Sequence, residues 1–264
     1  MGTNGQQRQS AVDPPTSGSV FETHGRYRPL VPLLLVGILL LAAAFRLTNV
    51  RWDEGLALHP DERFLTMVET SIAFPEPCRA FIPHLKEKVS TPGDLRACLA
   101  AYFDSAISPL NPRNQGHPLW VYGSLPILIL RTVTEAMGIV DFSRVTEAGR
   151  ILSALVDLGT VALTFFLARQ LYGVRVGLLA SLLLSLSVLN IQNAHFFTVD
   201  TSVTFTTLLC VWLAVRVAEA DRKAVFFLLP LGVAFGAAVA CKVNSALFVL
   251  IVLLAAGLHV WRRM

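Results

Sequence analysis

Three short stretches of the chain carry the residues best equipped for chemistry. The first, His59-Pro60-Asp61-Glu62-Arg63-Phe64, sets two adjacent carboxylates between an imidazole and a guanidinium. One of these acids can serve as a general base toward a hydroxyl, and the other can hold an acceptor or a metal. The same residues have a plainer use. Pro60 suits a first helical position, and Leu65, Met67, Val68 and Ile72 recur at helical spacing. Acids in the opening turn of such a helix would complement its dipole by about 0.3–1 kcal/mol each. The second stretch holds His195 and Asp200, with Asp200 at a short turn between two apolar runs. A carboxylate beside hydrocarbon needs a partner or a wet cavity and is a functional candidate on that ground; capping the helix that follows is the competing use. His195 could carry protons or, with His59 and the acids, help to hold a divalent ion, but no strict ligand spacing supports a metal. A hydrogen-bonded histidine at a helix end is the alternative. The third stretch ends an apolar run at Lys242, which can snorkel to headgroups or pair with a lipid-linked phosphate.

The elements that must position these groups are dictated by composition. Apolar residues make up 54% of the chain, charged ones only 15%, and the mean hydropathy is +0.58, a balance foreign to soluble domains. The apolar residues gather in runs of about 20, the length a helix needs to cross a hydrocarbon core. The first run starts near Leu30 and is too long for a secretory signal. Residues 1–29 are polar and predict a disordered cytoplasmic tail. A polar stretch follows the first run, and later apolar runs cover 119–137, 151–171, 176–190, 203–217, 225–240 and 245–260.

Charge bias decides how these runs are threaded. The 119–137 segment contains Pro126, Arg131 and Glu135 and opens with Trp120 and Tyr122, which suits a helix lying in the interface. On that reading Arg169, Arg175, Arg216, Arg222, Lys223, Arg262 and Arg263 share one side with Arg26 and Arg28, the cytoplasmic side. The expectation is an all-α membrane protein with about six transmembrane helices. It comprises a first span at 30–48, an extracytoplasmic loop at 49–149 with interfacial helices near 61–73 and 119–137, and five further spans in 150–264. All three chemical stretches then fall on the extracytoplasmic face. Cys78 and Cys98 share the loop, where oxidation is open to them, although spacing leaves their pairing undecided. Gly232 and Gly236, four apart, suit a close helix-packing face.

The order of these features resembles a known family. An anchor helix precedes His-Pro-Asp-Glu-Arg-Phe, then come Pro118-Leu119-Trp120-Val121-Tyr122, Gly149-Arg150-Ile151-Leu152-Ser153-Ala154-Leu155, Tyr172-Gly173-Val174-Arg175-Val176-Gly177 and Phe197-Thr198-Val199-Asp200. This pattern looks like the GT-C membrane glycosyltransferases. More narrowly, it is similar to the branch holding the protein O-mannosyltransferases and the bacterial aminoarabinose transferase of lipid A. The resemblance implies transfer of a sugar from a polyprenyl or dolichyl phosphate to a protein, lipid or glycan acceptor outside the membrane, by single displacement with inversion. It implies Asp61 as the base, Glu62 beside it, Asp200 as a second site acid and Lys242 facing the lipid phosphate. His59, Arg63 and His195 would be neighbours. Some members of the superfamily use a divalent metal and others do not. Members usually carry more spans, so a truncated N-terminal module is expected, in the plasma membrane. A transporter or flippase-like subunit is the rival reading, with Asp200 and Lys242 as ion or substrate contacts. Nucleic acid is not an expected partner, because the basic residues are dispersed along the inner boundary.

Overall fold

The run Leu30–Leu47 contains a single ionisable residue, Arg46, and forms helix α1. In the computed structural model, which describes residues 30–81, 94–220 and 225–262, every regular element is helical. After α1 come α2 (Pro60–Ser71), α3 (Glu76–Arg79), α4 (Leu95–Phe103), α5 (Leu125–Met137), α6 (Phe142–Tyr172), α7 (Val174–Ser185), α8 (Val188–Ala194), α9 (Val199–Glu219), α10 (Val225–Cys241) and α11 (Val249–Trp261). The expected tail at 1–29, with Arg26 and Arg28, lies outside the described residues, as do Arg222, Lys223 and Arg263.

Among the described residues four helices are long and apolar enough to cross a membrane: α1, α6, α9 and the continuous stretch Val243–Trp261. A fifth crossing is available if α7 and α8 act together across their 59° bend. Helix α10 is apolar but 17 residues long, about 26 Å, so it falls short of the same length test. The chain is thus an all-α integral membrane protein with four or five candidate spans.

The bend between α7 and α8 has an identifiable cause. Breaking a helix frees carbonyls that lipid cannot satisfy. The buried Arg46 guanidinium donates to the Ser185 and Leu184 carbonyls, at 3.0 and 3.3 Å, and its Nε donates to Asp157 on α6 at 2.5 Å. One arginine therefore ties α1, α6 and the end of α7 together. Farther along, α9, α10 and α11 pack through Ala214, Ala234, Ala238 and Ala255 with Leu213 and Leu231. Small side chains let backbones approach where no hydrophobic force separates helix from lipid. The glycine reading needs correction here: a Cβ on Gly232 or Gly236 would meet nothing within 4 Å, so these residues face open space and the alanines form the packing face.

Between α1 and α6 the loop builds a core of its own. Leu65, Val68 and Ile72 of α2 pack with Ile127 and Leu130 of α5, Val145 of α6, and Trp120 and Phe197. Cys78 and Cys98 are joined by a disulfide that links α3 to α4. The second loop helix begins at Leu125, not near 119, because Pro126 fits its first turn while residues 118–124 run outside the helix.

One buried acid of this core carries a pH prediction. The Glu69 carboxyl accepts from Thr134 Oγ1 at 2.5 Å and sits 3.9 Å from Arg131. Its burial, reinforced by the neighbouring Glu135 charge, pushes it above its ordinary value of 4.5 despite those two partners. The folded chain then holds a proton that the unfolded chain releases. The stabilisation is complete below about pH 4.5 and is lost as pH rises through the folded value. Melting curves of the intact protein in detergent, taken between about pH 4 and about pH 8, should show wild type losing thermal midpoint relative to Glu69→Gln as pH rises. A constant difference would contradict this assignment.

Candidate active site

Two acids adjacent in sequence meet opposite environments at the start of α2. Glu62 is fully buried, and each of its oxygens accepts from Arg150 of α6, at 2.8 Å from Nε and 2.6 Å from Nη2. Glu62 Oε1 also accepts the Phe197 main-chain N–H at 2.8 Å. The same guanidinium grips both oxygens of Asp53, at 2.8 and 2.7 Å, and donates to the Val50 carbonyl at 2.8 Å. Arg150 holds the Asp53 carboxyl down at about 2. Asp53 in turn accepts from the N–H groups of Gly55 and Leu58, folding the loop in which Glu54 and Ala57 take left-handed backbone. Such strain persists only where surrounding contacts over-determine it. The Glu62–Arg150–Asp53 triad therefore fixes where α2 begins and keeps Glu62 buried, with both of its oxygens bound to Arg150.

Asp61, one residue earlier, is half-buried and outside the triad. Its Oδ1 accepts from the Tyr122 hydroxyl at 3.1 Å. Burial, together with the charges of Asp61 and Asp200, pushes the Tyr122 phenol above its ordinary value, which keeps it a donor. The strand of chain bearing Tyr122 is itself pinned: the Gly123 N–H donates to the Cys241 carbonyl at 3.1 Å, next to Lys242. Lys242 pairs with Asp200 at 2.8 Å, and both side chains are about half exposed, 41% and 52%. Tyr122 and Gly123 also line a cleft of about 850 Å³ with Trp120, Phe103, Ala240 and Val243. Asp61, Tyr122, Asp200 and Lys242 thus cluster at one end of α6, α9 and α10.

Gly123 is required by contact. A Cβ there would collide with the Ala240 carbonyl and the Cys241 backbone, neither of which can yield as a side chain would. Gly123→Ala is expected to lift the Tyr122 segment away from α10 and lower the turnover of this site by about 10²-fold, the scale of a 1 Å misplacement. Gly232→Ala, facing open space, should leave the rate unchanged. Comparing the two variants at equal membrane expression checks this. Equal rates would mean that the Tyr122 segment does not position the site.

The remaining candidates are placed as follows. The His59 ring packs on Phe196, with centroids 4.5 Å apart, and its Nδ1 is buried without a partner among the described residues. The Arg63 Nε donates to the Ala57 carbonyl at 3.1 Å. Both His195 ring nitrogens face main-chain carbonyls, Ile191 at 2.8 Å and Thr48 at 2.9 Å, so the ring staples α8 to the end of α1. Among the described residues no group of three or more His, Cys, Asp or Glu side chains converges to hold a metal ion. Arg150, Asp53 and Tyr122 escaped the sequence-based choice of site residues. An arginine at the start of an apolar run was the available signal for the first, since a charge there must be paired.

The profile of the family described as dolichyl-phosphate-mannose-protein mannosyltransferase matches residues 133–264, the C-terminal half of the 264-residue chain. The match covers Arg150, Asp200 and Lys242 and begins after Asp61 and Tyr122. No curated protein and no solved structure gives a significant match.

Proposed function

Since the chain belongs to the dolichyl-phosphate-mannose-protein mannosyltransferase family, whose members are membrane glycosyltransferases of the GT-C type, we propose that it transfers a sugar from a polyprenyl- or dolichyl-phosphate carrier to an acceptor hydroxyl, with Asp61 as the base. The observation that carries this reading is the isolation of one half-buried carboxylate, Asp61, beside the exposed Asp200–Lys242 pair. Asp61 takes the proton from the acceptor hydroxyl as its oxygen attacks the sugar's anomeric carbon. The bond from that carbon to the phosphate oxygen breaks, and the phosphate leaves with the electron pair. Lys242 faces the charge that gathers on this phosphate, while Asp200 orients the ammonium. Glu62, committed to Arg150, positions Asp61 without touching substrate.

The site belongs on the extracytoplasmic face, in the plasma membrane. Arg169, Arg216 and Arg262 lie at the opposite ends of α6, α9 and α11, as expected of a cytoplasmic boundary. The Cys78–Cys98 disulfide accords with an oxidising compartment on the Asp61 side. The transporter reading draws no support from the broken α7–α8 pair, because Arg46 fills that break.

The test uses proteoliposomes containing the intact protein, an endogenous acceptor extract and one radiolabelled sugar, presented either on a polyprenyl phosphate or on a nucleotide diphosphate. Incorporation from the lipid donor alone is expected. Equal use of the nucleotide sugar would overturn the proposal, as would movement of the donor between leaflets with no transfer.

A further inference from the structure

At the end of the helices opposite Asp61, a second cavity of about 340 Å³ lies between α6 and α9, lined by Phe166, Arg169, Gln170, Trp212 and Arg216. Neither arginine is paired with an acid among the described residues, although both are exposed. Glu219, at the end of α9, accepts from the amide of the lining Gln170 at 2.5 Å. The two guanidinia are also braced by aromatic faces. Arg169 lies 5.9 Å from the Phe165 ring centroid, and Arg216 lies 5.7 Å from Trp212 and 5.0 Å from Phe227. Phe166 and Trp212 meet across the cavity wall at 6.3 Å.

Each arginine taken singly could serve its helix C-terminus, where a cation meets the negative end of the dipole. That use does not account for two guanidinia from different helices lining one cavity between aromatic plates. A planar donor fork suits phosphate oxygens, stacking reduces the conformational freedom lost on binding, and the exposed Phe166 lines the same cavity. Basic pockets between spanning helices are the arrangement by which membrane proteins hold anionic headgroups.

We infer that this pocket binds a phosphate group, supplied by the headgroup of an anionic lipid in the leaflet opposite the Asp61 site. The inference stands independently of the glycosyl transfer reading, since it uses none of the residues placed in that site. An anchored headgroup would clamp α6 to α9 at the end remote from the chemistry.

The experiment is native mass spectrometry and thermal melting of the intact protein in mild detergent, with phosphatidylglycerol, phosphatidylcholine or inorganic phosphate added at matched concentration. Wild type should retain phosphatidylglycerol and gain thermal midpoint with it, and show neither effect with phosphatidylcholine. Arg169→Gln and Arg216→Gln should each weaken retention about fivefold. The difference between the two lipids is read within each variant, so any loss of intrinsic stability cancels. If a variant fails to fold, competition of phosphatidylglycerol against phosphatidylcholine for wild type, with and without added salt, gives the same comparison. A response to inorganic phosphate that both substitutions remove would keep the phosphate site and assign it a soluble source. Equal retention of the two lipids by wild type, or retention untouched by either substitution, would overturn the inference.

Discussion

Arg150→Met is expected to abolish accumulation of folded protein in the membrane. All the donors of this guanidinium serve two carboxylates and a carbonyl, and the side chains of Asp53 and Glu62 have no exposure through which water could replace it. Removing one partner from a buried ionic network costs about 3–5 kcal/mol because the surviving charges stay uncompensated. That is a large part of the roughly 5–15 kcal/mol that separates folded from unfolded chains. Lysine would not rescue it, since one ammonium cannot grip two carboxylates in the fork geometry. Adding Asp53→Asn and Glu62→Gln to Arg150→Met should restore much of the folded yield, because the uncompensated charges are then gone. Size-exclusion profiles of tagged protein from equal amounts of membrane measure both outcomes. A normal profile for Arg150→Met alone would show that the triad does not hold the loop.

Asp61→Asn should act in the opposite way, leaving folding intact and removing activity. The half-buried Asp61 accepts one hydrogen bond, from Tyr122, and an asparagine oxygen can accept the same bond. Losing a general base costs about 10²–10⁴-fold in rate. The neighbouring substitution Glu62→Gln should instead lower the melting temperature, because it disturbs the triad. The pair separates chemistry from architecture with two adjacent residues of nearly equal size, and melting curves of both variants supply the structural half of the comparison.

The helical membrane class was legible in hydropathy, because each crossing must meet the same length requirement; the expected six spans stand against four or five candidates, because α10 is short and the 176–190 run bends between α7 and α8. Charge bias led to the expectation that the three stretches share one face, and Asp61, Asp200 and Lys242 lie at one end of the helices. The division of labour between Asp61 and Glu62 was not legible. It depends on Arg150, 88 residues later, which occupies one carboxylate and leaves its neighbour free. Tyr122 was hidden for a related reason: within an apolar segment with Trp120 it suits an interfacial belt, and only the contact of Gly123 with the end of α10 brings its hydroxyl to Asp61. Arg46 and Asp157, charges within apolar runs, were not singled out in the sequence, and the fold alone shows them paired beside the α7–α8 break. Gly232 and Gly236 misled because spacing marks one helix face without naming what covers it.

The central claim is that Asp61 is the base of a lipid-phosphate-dependent sugar transfer, and the most direct measurement is the initial transfer rate in proteoliposomes for wild type and Asp61→Asn at matched protein content. At saturating polyprenyl-phosphate sugar the variant should be slower by at least about 10²-fold, with unchanged thermal midpoint and donor KM. A variant with the wild-type rate would contradict the claim and leave Asp61 as a residue that completes the first turn of α2.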